Sequence, residues 1–174
     1  GNFKDAGLEY TGALKVLQMI FSYEYLWIQI RVKGGAYGCM CSFSDQGDSM
    51  FVTYRDPNLS ESYKVYDEAA DYVADFDADD RDMKKYIIGT IGSMDMPMEA
   101  VDMGARSFHA YFLGKTEADL QKVRDQVLSC TQEDIRALAP IVKAVVEAGN
   151  RCCIGNEEKI DQNKEYFDEV KHVL

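Results

Sequence analysis

The hydrophobic positions of the chain form helical stripes on either side of one short alternating segment. Between Tyr10 and Ser22, Leu14, Leu17 and Phe21 recur on one stripe with Ala13, Val16 and Ile20 beside it, and only Lys15 and Gln18 clearly need water. That spacing predicts a helix. From Tyr25 to Lys33 nearly every position is apolar, with Gln29, Arg31 and Lys33 as the interruptions. A helix that apolar is expected to be buried on most sides. Gly34 and Gly35 then supply a backbone that ends a helix, and Arg31 and Lys33 lie in the last turn, where a cation suits the negative end of the dipole.

Beyond the glycines the period changes to two. Tyr37 to Phe43 and Met50 to Arg55 read as strands joined by Ser44-Asp45-Gln46-Gly47-Asp48, a loop of hairpin length, with Tyr37, Cys39, Cys41 and Phe43 on one face. Asn58 and Glu61 have capping-box spacing for a helix from Leu59, whose apolar side is Tyr63, Tyr66, Ala70 and Val73. The acidic stretch from Asp75 to Asp82 reads as a solvated turn with an aspartate N-cap, and Met83, Ile87, Ile91 and Met94 form the stripe of the helix after it. Pro97 is expected to open a helix running from Met98 to about Leu113. Thr116 with Asp119 and Thr131 with Asp134 predict two further capped helices, the second kinked at Pro140. Asn150 to Ile154 reads as a short returning strand after a Gly149 cap, and the remainder as one or two short helical pieces.

With 174 residues, 47% hydrophobic and 28% charged, the chain suits one α+β domain with a single core. No apolar run is long enough for a membrane span. A net charge of -11 without a basic patch argues against nucleic acid and favours basic partners. The five cysteines show no CxxC spacing, so Cys39, Cys41, Cys152 and Cys153 are read as small strand hydrophobes in a reducing, cytoplasmic setting.

Catalytic signatures are few. Asp75 to Asp82 fails as a calcium loop, because Asp80 stands where glycine is required and Tyr86 where a bidentate glutamate is required. His109 and His172 are far apart, with no HxxEH or HExxH motif, so the chain is expected to hold no catalytic metal and to cut no peptide alone. One combination stands out: an arginine, Arg31, one turn before a glycine pair, and a tyrosine, Tyr37, just after it, beside backbone N–H groups expected to be exposed. Such a grouping suits a peptide carbonyl or an oxyanion. Taken singly, these residues also fit a dipole partner, a strand aromatic and a C-cap.

The run IRVKGGAYG strongly resembles the C-terminal half of the pitrilysin (insulinase-like) zinc metallopeptidases, in their presequence-protease branch, and YIIGTIGSMDMP is similar to the same pattern. The resemblance implies a pitrilysin-type (LuxS/metallohydrolase-like) α+β domain with an antiparallel hairpin in a sheet packed by helices. In that family a strand precedes the point matched by the glycine-rich start, so residues 1–174 are expected to be one domain of a larger peptidase, lacking its first strand or strands. Zinc is then expected in an N-terminal half that is the partner of this chain, with unfolded, basic peptides as substrates. By the same resemblance Arg31 and Tyr37 complete the site as auxiliary catalytic residues, and Arg31, Gly34, Gly35, Ala36 and Tyr37 bind substrate. The alternatives are a noncatalytic scaffold of the same fold and a free-standing acidic binding module.

Overall fold

A computed structural model describes residues 1–172 and organises them around one long helical run. It begins as α1 (Ala13–Ile20), which buries Ala13, Leu14, Val16, Leu17 and Ile20. It then continues without a break through two stretches of wide turns, Phe21–Tyr25 and Trp27–Lys33. In these stretches N–H groups reach back five residues, as from Leu26 to Phe21 and from Gly34 to Gln29. The wider turn moves the buried line to Phe21, Leu26 and Ile30, which are nearly inaccessible, with Tyr25 beside them. Trp27, Ile28 and Val32 are rotated outward and exposed, Val32 at 64%. The two helices expected from the sequence are therefore one, and its second part is buried on one side only.

Two strands follow, β1 (Gly38–Phe43) and β2 (Ser49–Tyr54), paired antiparallel from Gly38 opposite Tyr54 to Phe43 opposite Ser49. Gly47 turns the hairpin at a φ of +97°. The chain start lies on the outer side of β2, where Gly1 and Ser49 exchange both backbone bonds, at 2.8 and 3.0 Å, and Asn2 bridges Asp48. Because peptide groups alternate sides along an antiparallel ladder, those of Phe51 and Thr53 face the same outer edge as Ser49. Phe43, Phe51, Phe21, Tyr25 and Tyr72 join in one aromatic cluster beneath the hairpin.

The helices α2 (Leu59–Asp67), α3 (Ala69–Ala74), α4 (Asp80–Met94), α5 (Ala100–Phe112), α6 (Glu117–Leu128), α7 (Gln132–Arg136), α8 (Ala139–Glu147) and α9 (Glu157–Asp161) complete the described chain, with short 3-10 turns at Phe3–Ala6 and Lys164–Tyr166. This is a mixed α+β arrangement with a small sheet. Asp79 caps α4 by accepting from the N–H groups of Arg81 and Asp82. Thr116 and Thr131 form the reciprocal capping boxes expected of them. Helix α5 stands apart, with no buried residue; Val101, Phe108, Tyr111 and Phe112 are all exposed, Tyr111 at 81%.

Elsewhere the structure corrects the sequence reading. Asn58 precedes α2 but does not cap it, because its amide donates to the Gly34 carbonyl. The buried stripe of α4 is Met83, Tyr86 and Thr90, with Ile87, Ile91 and Met94 only half-buried, since α1 meets the helix one residue position around from the expected face. Pro97 lies in an extended link before α5, which starts three residues later behind an extended Glu99. Pro140 kinks nothing: α7 ends at Arg136, and the proline sits in the first turn of α8, where a missing N–H is harmless. Residues 150–154 join no sheet. Arg151 instead pairs with Asp67 of α2 at 3.1 Å and lies over the rings of Tyr63 and Tyr166, which draws the segment onto that helix, and Cys152 is exposed.

Candidate functional site

The helical run ends in a turn that uses nearly all of its own backbone donors. Gly34 N–H bonds to Gln29 at 3.1 Å, Gly35 N–H to Arg31 at 3.0 Å and Ala36 N–H to Ile30 at 3.1 Å. The expectation of exposed N–H groups at the glycine pair is thereby corrected: these donors close the wide final turn, and an acceptor from outside would have to displace them. Gly35 holds a φ of +77°, a region costly for any residue with a Cβ. A Cβ on Gly34 would strike the Ile30 carbonyl at 2.6 Å. Ala36 is buried, so it supports the turn from inside.

Arg31 and Tyr37 meet across this turn. One Arg31 nitrogen, Nη1, donates to the carbonyl of Tyr37 at 2.9 Å and to that of Ala36 at 3.3 Å. Its guanidinium lies 4.6 Å from the centre of the Trp27 ring and 5.9 Å from that of Tyr37. The tyrosine is 65% exposed and stands edge-on to Tyr54, with ring centres 5.9 Å apart. No described hydrogen bond uses its hydroxyl or the remaining Arg31 donors. The turn is also tied to the end of the hairpin: Asn58 reaches the Gly34 carbonyl, while the Asp56 carboxylate accepts from the Asn58 N–H at 2.9 Å and from the Ser62 hydroxyl.

Residues that sequence reasoning did not single out complete this surface. Trp27 is the platform for Arg31, and Arg55 brings a second guanidinium 5.8 Å from the Tyr37 ring. Arg55 is the one residue other than glycine, among those described, with a positive φ, +49°, a conformation that costs roughly 1–2 kcal/mol for an L-residue. Tyr37 N–H faces the carbonyls of both Tyr54 and Arg55, at 3.1 and 3.3 Å, so β2 ends in a bulge beside the tyrosine. The Arg-Asp-Pro run at a strand end marks a stop in the sequence but not the sign of φ.

The larger grooves include neither Arg31 nor Tyr37, although one of them, along β2, reaches Arg55, Asp56 and Asn58. One of about 760 Å3 lies between β2, α2 and residues 150–163, and one of the same volume is lined by Tyr10, Lys15, Asp45, Arg106 and Lys115. Arg31 and Tyr37 thus occupy an open face. Burial pushes the Cys41 and Cys130 thiols up to about 12 and raises those of Cys39 and Cys153, so none of these four is set up as a nucleophile. His109 is exposed on α5, and among the described residues no group of three or more His, Cys, Asp or Glu is placed to hold a metal ion. No described helix is long and apolar enough to cross a membrane.

A half-buried arginine and an exposed tyrosine thus meet over a glycine helix end in a mixed α+β arrangement. Residues 1–156 match the PreP C-terminal domain family, and the chain belongs to it. Among individual proteins it is similar to Protein HypA of Clostridium perfringens (strain 13 / Type A), 41% identical over 174 residues, covering 100% of this chain and 18% of that protein. It is also similar to Presequence protease 1, chloroplastic/mitochondrial, of Arabidopsis thaliana, 33% identical over 178 residues, covering 100% of this chain and 16% of that protein. The mitochondrial presequence protease of Aspergillus fumigatus is 34% identical over 151 residues, covering 86% of this chain and 14% of its own length. The chain therefore spans less than a fifth of these relatives. The two presequence proteases carry organelle names, unlike the cytoplasmic setting expected from the cysteines.

Proposed function

We propose that residues 1–174 form one domain of a larger zinc-dependent peptidase, in which it binds unfolded peptides and completes a clamshell site without being catalytic alone. The observation that carries this reading is the joining of Arg31 and Tyr37 across the Gly34–Gly35 turn, on an exposed face of a chain that belongs to the PreP C-terminal domain family. Tyr37 offers a free hydroxyl to a substrate carbonyl or a developing oxyanion. Arg31 is fixed by Trp27 and by its own turn, and presents its remaining donors to substrate backbone. Gly34 and Gly35 contribute the absence of bulk, which lets an extended peptide approach the phenol, and Ala36 holds the turn from below.

The zinc ion implied by the family finds no donor set among the described residues, and we place it in the N-terminal half of the parent protein. The outer edge of β2, which already pairs with Gly1 and Asn2, is where a further strand of that protein would join the sheet. The scaffold alternative draws on one observation, that Arg31 braces its own turn.

Cleavage of a quenched, unstructured peptide by the zinc-containing half, with and without this chain, separates the two readings. Tyr37→Phe is expected to lower kcat by about 100-fold, the scale for one oxyanion donor, with the melting temperature unchanged. Arg31→Lys keeps the charge but loses the fork, and is expected to raise KM. Equal rates with intact and substituted chains would leave only the scaffold.

A further inference from the structure

Around the glycine turn, an acidic chain gathers three cations without an anion. Although acidic residues outnumber Lys and Arg by 30 to 19, none of the described ion pairs includes Arg31, Lys33 or Arg55. Lys33 bonds only the side-chain oxygen of Gln29, at 3.1 Å. The adjacent carboxylate, Asp56, is already engaged by the Asn58 N–H and the Ser62 hydroxyl. Arg55 is exposed and lies beside two rings that meet edge to face, 5.3 Å from the centre of Tyr54 and 5.8 Å from that of Tyr37. Its backbone carbonyl faces the Tyr37 N–H, so side chain and main chain are both registered to the tyrosine.

Held in this way, the Arg55 fork has its face on aromatic carbon, and none of its donors meets a protein acceptor among the described residues. A planar fork fixed in place with no acceptor matches a carboxylate, which it grips with two parallel bonds. The positive φ points the same way, since strained backbone persists where the surroundings hold it and is concentrated at binding and catalytic sites. The two aromatic rings brace the guanidinium and limit the orientations it samples.

We propose that Arg55, assisted by Arg31 at the same Tyr37 ring, is a carboxylate-binding site that selects peptides carrying a free C-terminus or an acidic side chain next to the segment held by Tyr37. This rests on the peptide-binding reading above and sharpens its substrate class. The acidic remainder of the chain attracts basic peptides at long range, but the position beside Tyr37 rejects a basic side chain and takes an anionic group.

NMR titration of the full chain tests it, following the Nε–H signals of Arg55 and Arg31. The probes are short unstructured peptides in four forms: C-terminal acid or amide, each with an internal Asp or Asn. A peptide with a carboxylate is expected to shift the Arg55 signal and to bind about tenfold tighter than the form with neither, the scale of a charge-assisted hydrogen bond. The acid/amide and Asp/Asn pairs show which carboxylate is read. Arg55→Gln should abolish the preference and Arg55→Lys keep part of it. Arg55→Gly, which relieves the positive φ, should abolish it without lowering the melting temperature. Peptide binding that depends on Arg31 and Tyr37 but shows no acid preference, or a preference that survives Arg55→Gln, overturns this inference and leaves the peptidase reading standing. Acid-selective Arg55 shifts together with failure of the cleavage assay overturn the peptidase reading and leave the carboxylate site.

Discussion

Asn58 offers a direct test of the turn architecture, because its two roles, the one expected and the one observed, respond oppositely to a single substitution. As an N-cap, asparagine is interchangeable with aspartate, and the added charge at a helix N-terminus would contribute about 0.3–1 kcal/mol in favour of the fold. As a donor to the half-buried Gly34 carbonyl, it has no substitute in aspartate. Asn58→Asp removes a hydrogen bond whose net contribution is about 0.5–1.5 kcal/mol and sets a carboxylate against a carbonyl that has lost its partner, a further cost of about 1–3 kcal/mol. The side chain recovers part of this by swinging toward water, and the α2 dipole offsets some of the rest. The net expectation is a loss of about 1–2 kcal/mol, or roughly 2–8 °C in melting temperature for a chain of this size. Urea denaturation followed by circular dichroism measures it, with an unchanged m-value showing that native compactness is preserved. An Asn58→Asp chain as stable as the parent, or more stable, refutes the tie between Asn58 and the glycine turn.

Other outcomes follow from separate features. Gly35→Ala is expected to cost roughly 1–2 kcal/mol of unfolding free energy, through backbone strain alone, because only Pro57, at 3.9 Å, lies near an added Cβ. Burial works against the Asp45 carboxylate, but the bonded Lys115 ammonium outweighs it and holds the group below its usual range. Stability from a depressed carboxylate is present above the unfolded pKa and lost as pH falls through the folded one, so the gap in melting temperature between the parent and Asp45→Asn should be open at neutral pH and close on acidification. Thiol labelling under native conditions should modify exposed Cys152 first, and Cys41 and Cys130 only after denaturation, as read by mass spectrometry.

What was legible in the sequence was local. The capping boxes at Thr116 and Thr131, an aspartate cap within Asp75–Asp82, the hairpin loop and the glycine helix end are each determined within a few residues, and each is found in the stretch where the pattern places it, the aspartate being Asp79. The juxtaposition of Arg31 and Tyr37 was also readable, since a helix end and the start of a strand bracket only five residues. The features that escaped depend on distant partners or on a different period. A 3.6-residue template cannot register bonds that reach back five residues, so Trp27, Ile28 and Val32 were assigned to the core although they face outward. Asn58 looks like a cap until Gly34, 24 positions away, takes its amide. Residues 150–154 carry a strand pattern, yet the attraction of Arg151 for Asp67 is invisible along the chain. Arg55 hid for a simpler reason, that arginine gives no sequence signal for a left-handed backbone.

The wide turns from Phe21 to Lys33 can also be described as a matter of insertion and deletion. A turn that spans five residues where an α-helix spans four is an α-helix carrying one residue too many, accommodated without a break. Removing a single residue from one of the two stretches would restore ordinary winding in that stretch, yet it would rotate everything downstream by about 100° around the helix axis. Arg31 would swing off the Trp27 and Tyr37 rings, and Leu26 and Ile30 would turn out of the core, while Leu14, Leu17 and Ile20 upstream stayed in place. The length of this segment is therefore as strictly constrained as the identity of any residue in it: a homologue one residue shorter would lose the alignment of the site and part of the core beneath it.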